Sequence, residues 1–220
     1  MNTLCAILMT VLTTFSDGTF HTTYETSVDA NVKSCNQVVD SLIICLQNSP
    51  EMLSEQFFAG LGKQGDKNKN AFYLVWKESS YIPEKRYSKI VMDVLVDEKP
   101  YLRDVVIESM VVDSMVGQRR DIRVDIQYAG HLLQEAYGTF HVEPIGNKTV
   151  KLSMDVHVKF GWFFRIFISQ RIYRNTIDWR LERFVTNLKL MAEGKQPTDA
   201  YWQQIDKEKN KNTLKNILKY

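Results

Sequence analysis

Residues 161–193 read GWFFRIFISQRIYRNTIDWRLERFVTNLKLMAE and follow a run of predicted strands. In the second half of this segment, apolar side chains recur every three or four residues: Ile177, Leu181, Phe184, Val185, Leu188 and Met191. This spacing predicts one long helix with a single buried stripe. The first half, residues 162–168, is apolar around most of its circumference, which exceeds what packing on one sheet face requires. The surplus predicts further contact with a sheet, a ligand or a membrane.

The residues before this segment predict an antiparallel sheet. Apolar and polar side chains alternate from residue 71 onward, as in a sheet that is covered on one face. Six strands are predicted there, at residues 71–77, 86–96, 101–112, 121–128, 132–142 and 148–160. An earlier strand is predicted at 20–28, which is rich in β-branched and aromatic residues. Two helices are predicted between it and the later strands, one ending near Asn48 and one starting at Ser49-Pro50.

The order of strand, helix, helix, six strands and long helix resembles the START-like superfamily, also called SRPBCC. This superfamily includes the major birch-pollen allergen, polyketide cyclases and steroidogenic lipid-transfer proteins. The resemblance is carried by residues 24–31, YETSVDAN, which look like the first strand turning into helix one, and by residues 181–193, which look like the end of the last helix. It implies an α+β helix-grip fold. In that fold a curved seven-stranded antiparallel sheet wraps around the long C-terminal helix, with a ligand cavity between them.

Length and composition suit one globular domain, which we place at residues 18–194 of the 220. Residues 1–17 are an N-terminal extension or a weak signal peptide, because the apolar stretch 4–12 has a suitable length but no Lys or Arg precedes Lys33. The sequence leaves a cytoplasmic and an exported location equally open.

Residues 195–220 form a basic tail, for which both a solvated helix and peripheral contact with an anionic membrane are considered. Arg165 and Arg171 interrupt the best candidate for a transmembrane span, so none is predicted.

The hairpin of strands 132–142 and 148–160 predicts the cavity wall. The odd-numbered residues of its second strand are polar, so antiparallel pairing directs Ala136, Gly138, Phe140 and Val142 to the inner face. Two small residues in a row leave volume for a ligand, unless Phe163 or Phe167 fills the gap. Arg165 and Arg171 suit a carboxylate or phosphate head group. The predicted ligand-binding residues are Tyr24, Tyr128, Gln134, Ala136, Gly138, Phe140, Met154, Phe163, Arg165, Phe167 and Arg171.

The histidines do not form a recognised metal or catalytic motif. His131 and Glu135 are four residues apart, but they lie at the start of a strand and not on a helix. His157 is predicted to pair with Glu135 on the polar face of the hairpin, where His141 also lies. We therefore predict no catalytic residue, no metal and no cofactor. The net charge of +2, with acids and bases interspersed, gives no reason to expect a nucleic-acid partner.

These observations predict non-catalytic binding or transport of a hydrophobic small molecule, such as a lipid, a sterol-like or a polyketide-like compound. Two alternatives stay open. A polyketide cyclase or aromatase would use inward polar groups to orient its substrate, and an interaction module would fill the cavity with its own side chains. The sequence does not identify the ligand or the oligomeric state.

Overall fold

The computed structural model describes residues 10–48, 57–61, 72–96 and 99–217. Eight strands form one antiparallel sheet in the order β1-β2-β8-β7-β6-β5-β4-β3. The strands are β1 Thr10–Ser16, β2 Thr19–Val28, β3 Phe72–Ile82, β4 Tyr87–Val96, β5 Lys99–Val116, β6 Arg119–Tyr128, β7 Leu133–Gly146 and β8 Thr149–Phe160. The predicted α+β fold, with strand 20–28 and six later strands, is confirmed. The sheet has eight strands instead of seven because β1 adds an edge.

Strand β1 was not predicted. It pairs with β2 along its whole length, with Thr13 opposite Thr22 and Phe15 opposite Phe20. Its β-branched and aromatic residues favour a strand, but their apolar content also matched the end of a secretory segment. These residues were therefore predicted to belong to an N-terminal extension.

The helices are α1 Val32–Asn48, α2 Trp162–Phe167, α3 Gln170–Tyr173, α4 Trp179–Ala192 and α5 Asp199–Ile217. Helix α1 agrees with the prediction, and the Asn31 side chain caps it by accepting a hydrogen bond of 2.9 Å from the backbone N–H of Ser34. The start of the second predicted helix, at Ser49-Pro50, lies outside the described residues. Within the described ranges, every helix is too short or too polar to cross a bilayer.

The predicted long helix at 161–193 is broken once, between Phe167 and Gln170, and its second part contains a π-helical turn. Helix α2 ends at Phe167, and the Ser169 hydroxyl caps α3 by accepting a hydrogen bond from the backbone N–H of Ile172. A π-helical turn at Arg174–Asp178 then joins α3 to α4. The cap offers the backbone an alternative to helix continuation, and aromatic and β-branched residues are only moderate helix formers.

Helix α4 packs on the inner face of the sheet and forms the main core. Val185 and Leu188 are buried in one cluster with Val28, Val142 and Val150 of the sheet, and Leu181, Phe184 and Met191 pack against it. The predicted apolar stripe of this helix is confirmed. Lys189 lies outside this stripe but is also buried, and its ammonium group donates to the backbone carbonyl of Ser27.

Asn187 connects α4 to two other parts of the chain. Its side-chain N–H group donates to the carbonyls of Phe57 and Ala59, both at 2.9 Å, and its oxygen accepts from the Trp202 indole at 2.9 Å. Gly60 has a φ of +74°, and a Cβ atom there would collide with the Trp202 ring. These contacts fasten the first turns of α5, and the segment 57–61, to the body of the fold.

Candidate ligand-binding site

The inner face of the sheet is covered at one end and open at the other. Along β6, Ile122 is buried, Val124 and Ile126 are half-buried, and Tyr128 is 53% exposed. Ile122 lies at the end where α1 and α4 pack against the sheet. The opposite end, near Tyr128, faces the short helix α2. Because burial decreases along β6 from Ile122 to Tyr128, the space available for a ligand lies near α2.

A pocket of about 540 Å³ lies at this open end. Three parts of the chain form it: the irregular start of β5, the connection between β6 and β7, and the first turn of α2. The lining residues are Leu102, Asp104, Val105, Val106, Tyr128, Ala129, Gly130, His131, Leu132, Trp162, Phe163 and Phe164. Most of these are apolar or aromatic, and the volume lies within the usual range of about 300 to 1,000 Å³ for ligand pockets.

Gly161 holds the aromatic wall of the pocket against the β6–β7 connection. Its backbone N–H donates to the carbonyl of Leu132 at 3.0 Å, and a Cβ atom at Gly161 would overlap the carbonyl oxygen of His131. Only glycine permits this close approach. The close contact brings Trp162, Phe163 and Phe164 to the pocket directly after β8 ends.

A register shift in β5 shapes the opposite wall. The pairing between β4 and β5 is irregular around Val94, and Asp104 has a positive φ of 51°. The backbone N–H of Asp104 donates to the Asp93 carboxylate at 2.8 Å, and the Lys77 ammonium contacts both carboxylates at 2.7 and 2.8 Å. The hydrogen bond from Lys77 lowers the pKa of Asp93. Lys77 thus neutralises part of the negative charge of Asp93 and Asp104 at this rim, and most other residues of the pocket lining are apolar.

The structure places the predicted site residues in three groups. Tyr128 and Phe163 line the pocket. Tyr24, Ala136, Gly138, Phe140 and Met154 lie on the inner face of β2, β7 and β8, outside the pocket lining, and Tyr24 and Met154 belong to the main core. Gln134, Arg165, Phe167 and Arg171 are exposed and also lie outside the lining. The predicted inward orientation of β7 is confirmed by its pairing with β6 and β8.

Sequence reasoning missed most of the pocket. Leu102, Val105 and Val106 lie in a strand that was predicted, but the alternation of side chains gives no sign of the register shift at Asp104. Ala129, Gly130 and Leu132 carry only the signal of a turn. Trp162 could have been predicted, because it begins the segment 162–168, which has more apolar side chains than packing on one sheet face requires.

Two polar features lie in the interior near α4. The Tyr24 hydroxyl is buried and has no hydrogen-bond partner within the described part of the chain, and burial raises its pKa to about 12. Thr13 donates to the Asp178 carboxylate at 2.9 Å and contacts the Thr22 hydroxyl at 2.9 Å. The Thr22 hydroxyl in turn donates to Tyr173 at 3.3 Å. This network ties β1 and β2 to the π-helical turn.

The histidines of the last hairpin lie on the outer face, away from the pocket. The Nε2 atom of His157 is 3.5 Å from Glu135, its predicted partner, but the strand register places His157 opposite Tyr137, and its Nδ1 atom is 3.3 Å from Nδ1 of His21. Burial, followed by the proximity of His21, lowers the pKa of His157. His141 contacts Asp121 at 2.7 Å. Among the described residues, no three His, Cys, Asp or Glu side chains come together in an arrangement that would hold a metal ion.

The eight-stranded antiparallel sheet, the element order and helix α4 packed on the inner face form an α+β helix-grip fold, which is the fold that the resemblance implied. A conserved protein from Geobacillus kaustophilus has a similar structure, with a TM-score of 0.51 and 13% identity over 80% of this chain and 97% of that one. A START superfamily protein from Mycobacterium smegmatis matches with a TM-score of 0.47 and 14% identity, over 79% and 97% of the two chains.

Truncated norcoclaurine synthase from Thalictrum flavum matches with a TM-score of 0.48 and 13% identity, over 82% of this chain and 97% of the synthase. No family model and no curated protein matches the sequence. At these identities the likeness concerns the fold. The function must be argued from the pocket.

Proposed function

We propose that this protein binds and carries a hydrophobic small molecule, such as a lipid, a sterol-like or a polyketide-like compound, without transforming it. The observation that supports this proposal is the pocket of about 540 Å³ beside α2, whose walls are mainly aliphatic and aromatic. Removing an apolar ligand from water into such walls is favourable by about 25 cal/mol for each Å² of apolar surface buried.

The polar groups at the pocket suit orientation of a ligand. The Tyr128 hydroxyl can accept or donate a hydrogen bond, and His131 lies at the same connection. Asp104 is paired with Lys77 at 2.7 Å at the rim, where its side chain is 71% exposed. A ligand with a long apolar body and one hydroxyl or carbonyl group fits this distribution.

A fluorescent fatty acid or sterol probe tests the proposal by titration. The informative variant is Val105→Trp, because Val105 lines the pocket and a larger side chain there occupies ligand volume. Val116→Trp is the matched control, since Val116 lies on the same strand, is 57% exposed and is outside the lining. We expect Val105→Trp to weaken probe binding by at least about tenfold, which corresponds to about 1.4 kcal/mol, and Val116→Trp to leave it unchanged.

Native mass spectrometry of the purified protein adds an independent measurement. A co-purified apolar molecule that is retained by the Val116→Trp protein and lost from the Val105→Trp protein supports the carrier function. Equal probe binding by both variants, or no binding by the wild type, would contradict the proposal. A probe or co-purified molecule that is converted to a product during incubation would instead favour the cyclase-like alternative.

A further inference from the structure

Helix α2 is apolar on two sides, and the fold buries only one of them. Phe164 and the adjoining Ile168 pack with Phe20, Phe160 and Tyr173 in a second cluster. The other side chains of this region point to solvent: Trp162 is 75% exposed, Phe163 45%, Ile166 71%, Phe167 58% and Ile172 47%. We call the surface of these five residues the α2 face. The ring of Phe163 contacts the rings of Trp162 and Phe167, with centroids 5.9 and 5.3 Å apart, and exposed apolar groups of this kind mark an interaction site.

The charged residues of the chain segment that carries the α2 face have one sign. Between Asp155 and Asp178 the chain contains Lys159, Arg165, Arg171 and Arg174, and it contains no acidic residue. Arg165 and Arg171 are exposed, and within the described ranges neither forms an ion pair with an acidic side chain. The whole chain is close to neutral at +2, so this concentration of positive charge is local.

We propose that the α2 face docks on an anionic lipid bilayer. A short helix with exposed Trp, Phe and Ile side chains beside arginines has the composition of an interfacial membrane segment, in which the rings enter the head-group region and the arginines meet phosphate groups. A surface for a second protein copy would gain nothing from Arg165 and Arg171, because two copies that met through the α2 face would bring these like charges together. Charge complementarity therefore selects the anionic bilayer.

The docked orientation places the pocket at the membrane. Trp162 and Phe163 belong both to the α2 face and to the pocket lining. A ligand could then pass between bilayer and pocket without crossing water, and this role in ligand exchange rests on the proposed carrier function. The docking itself does not depend on it.

Vesicle flotation of the full chain tests the docking. The wild type is expected to float with vesicles of phosphatidylcholine and phosphatidylglycerol in equal parts, less with phosphatidylcholine alone, and less as salt rises, because salt screens the arginines. Arg165→Gln/Arg171→Gln should weaken binding to the anionic vesicles by about fivefold for each arginine. Ile166→Ser/Phe167→Ser should weaken it by at least about tenfold through loss of apolar burial.

The matched control is Met115→Ser/Val116→Ser, which changes two adjacent apolar side chains with 61% and 57% exposure at the far end of β5. This variant should float like the wild type. The docking proposal is overturned if the wild type stays in solution with both lipids, if Ile166→Ser/Phe167→Ser floats as well as the wild type, or if removal of residues 206–220 alone abolishes binding. Self-association through the α2 face without flotation would overturn it in favour of a second copy.

A probe titration without vesicles separates the two proposals. Ile166 and Phe167 lie outside the pocket lining, so their double variant should keep wild-type affinity for the fluorescent fatty acid. If the wild type floats with vesicles but binds no probe, the docking proposal is supported and the carrier proposal is contradicted. Probe binding without flotation would do the reverse.

Discussion

The buried amide of Asn187 gives a stability prediction that can be worked out from the structure. Asn187 is fully buried and makes three hydrogen bonds of 2.9 Å, two to the carbonyls of Phe57 and Ala59 and one from the Trp202 indole. Replacement by leucine keeps the side-chain size but leaves these three groups without their partner. Each unpaired buried polar group costs about 1 to 3 kcal/mol. Because the leucine gains some apolar burial, we expect Asn187→Leu to lower the free energy of unfolding by about 3 to 5 kcal/mol.

Urea unfolding followed by circular dichroism measures this loss. Gln203→Leu is the control, because Gln203 is exposed and directly follows Trp202 in α5, and it should stay within about 0.5 kcal/mol of the wild type. A double-mutant cycle with Trp202→Phe sharpens the test. Phenylalanine has no N–H group, so Trp202→Phe should cost at least about 1 kcal/mol less in the Asn187→Leu protein than in the wild type.

The reasoning would be refuted if Asn187→Leu unfolded within about 0.5 kcal/mol of the wild type. Strictly additive effects of Asn187→Leu and Trp202→Phe would also refute it. Either result would mean that α5 is not fastened to α4 through this amide.

Three further predictions concern the core, the inner face and the π-helical turn. Leu188→Ala should lower the free energy of unfolding by about 3 to 5 kcal/mol, because Leu188 is only 1% exposed in the main core. If the variant melted at the wild-type temperature, the apolar stripe of α4 would not face the sheet. Gly138→Leu should lower the free energy of unfolding by less than about 1 kcal/mol, because a Cβ atom there meets only the carbonyl oxygen of Asp155 at 3.4 Å and Val156 at 3.8 Å. The same variant should weaken probe binding if the ligand extends over β7. A strongly destabilised variant, together with a wild type that binds no probe, would indicate a filled core. Burial raises the pKa of Asp178, so its contribution to stability is full below the ordinary carboxyl pKa of about 3.9 and is lost as pH rises through the higher folded value. The melting temperature of Asp178→Asn minus that of the wild type should therefore be larger at neutral pH than below the ordinary carboxyl pKa. If this difference did not change with pH, the pKa of Asp178 would not be raised in the folded state.

The sequence predicted the features that depend on local alternation. In β7 and β8, polar and apolar side chains alternate without interruption, so the register fixed which residues of β7 face inward, and the pairing of Gly138 with Val156 agrees. Helix α1 was predictable for a similar reason, because its cap at Asn31 and its apolar period both lie within the segment itself.

The features that were missed depend on contacts between distant parts of the chain. The π-helical turn is held by Asp178 and Tyr173, whose partners Thr13 and Thr22 are 165 and 151 residues away in sequence. The start of β5 is shaped by Asp93 and Lys77, which lie on two other strands. No pattern within residues 99–106 carries that information, so the wall of the pocket could not be predicted.

The break after α2 explains why Phe163 and Phe167 are exposed although they were predicted to line a cavity between the sheet and one long helix. An unbroken helix with 3.6 residues per turn would extend the stripe of Leu188, Leu181 and Ile177 backwards through positions near 170, 167 and 163. The chain instead starts a new helix at Ser169, and α2 is turned so that Phe164 and Ile168 contact the sheet. The side chains that a continuous helix would bury are thereby left for other contacts, Phe163 for the wall of the pocket and Phe167 for the α2 face. The surplus of apolar residues in this segment therefore divides between two surfaces: one packs on the sheet, and the other is exposed, where we propose that it meets a ligand and a membrane.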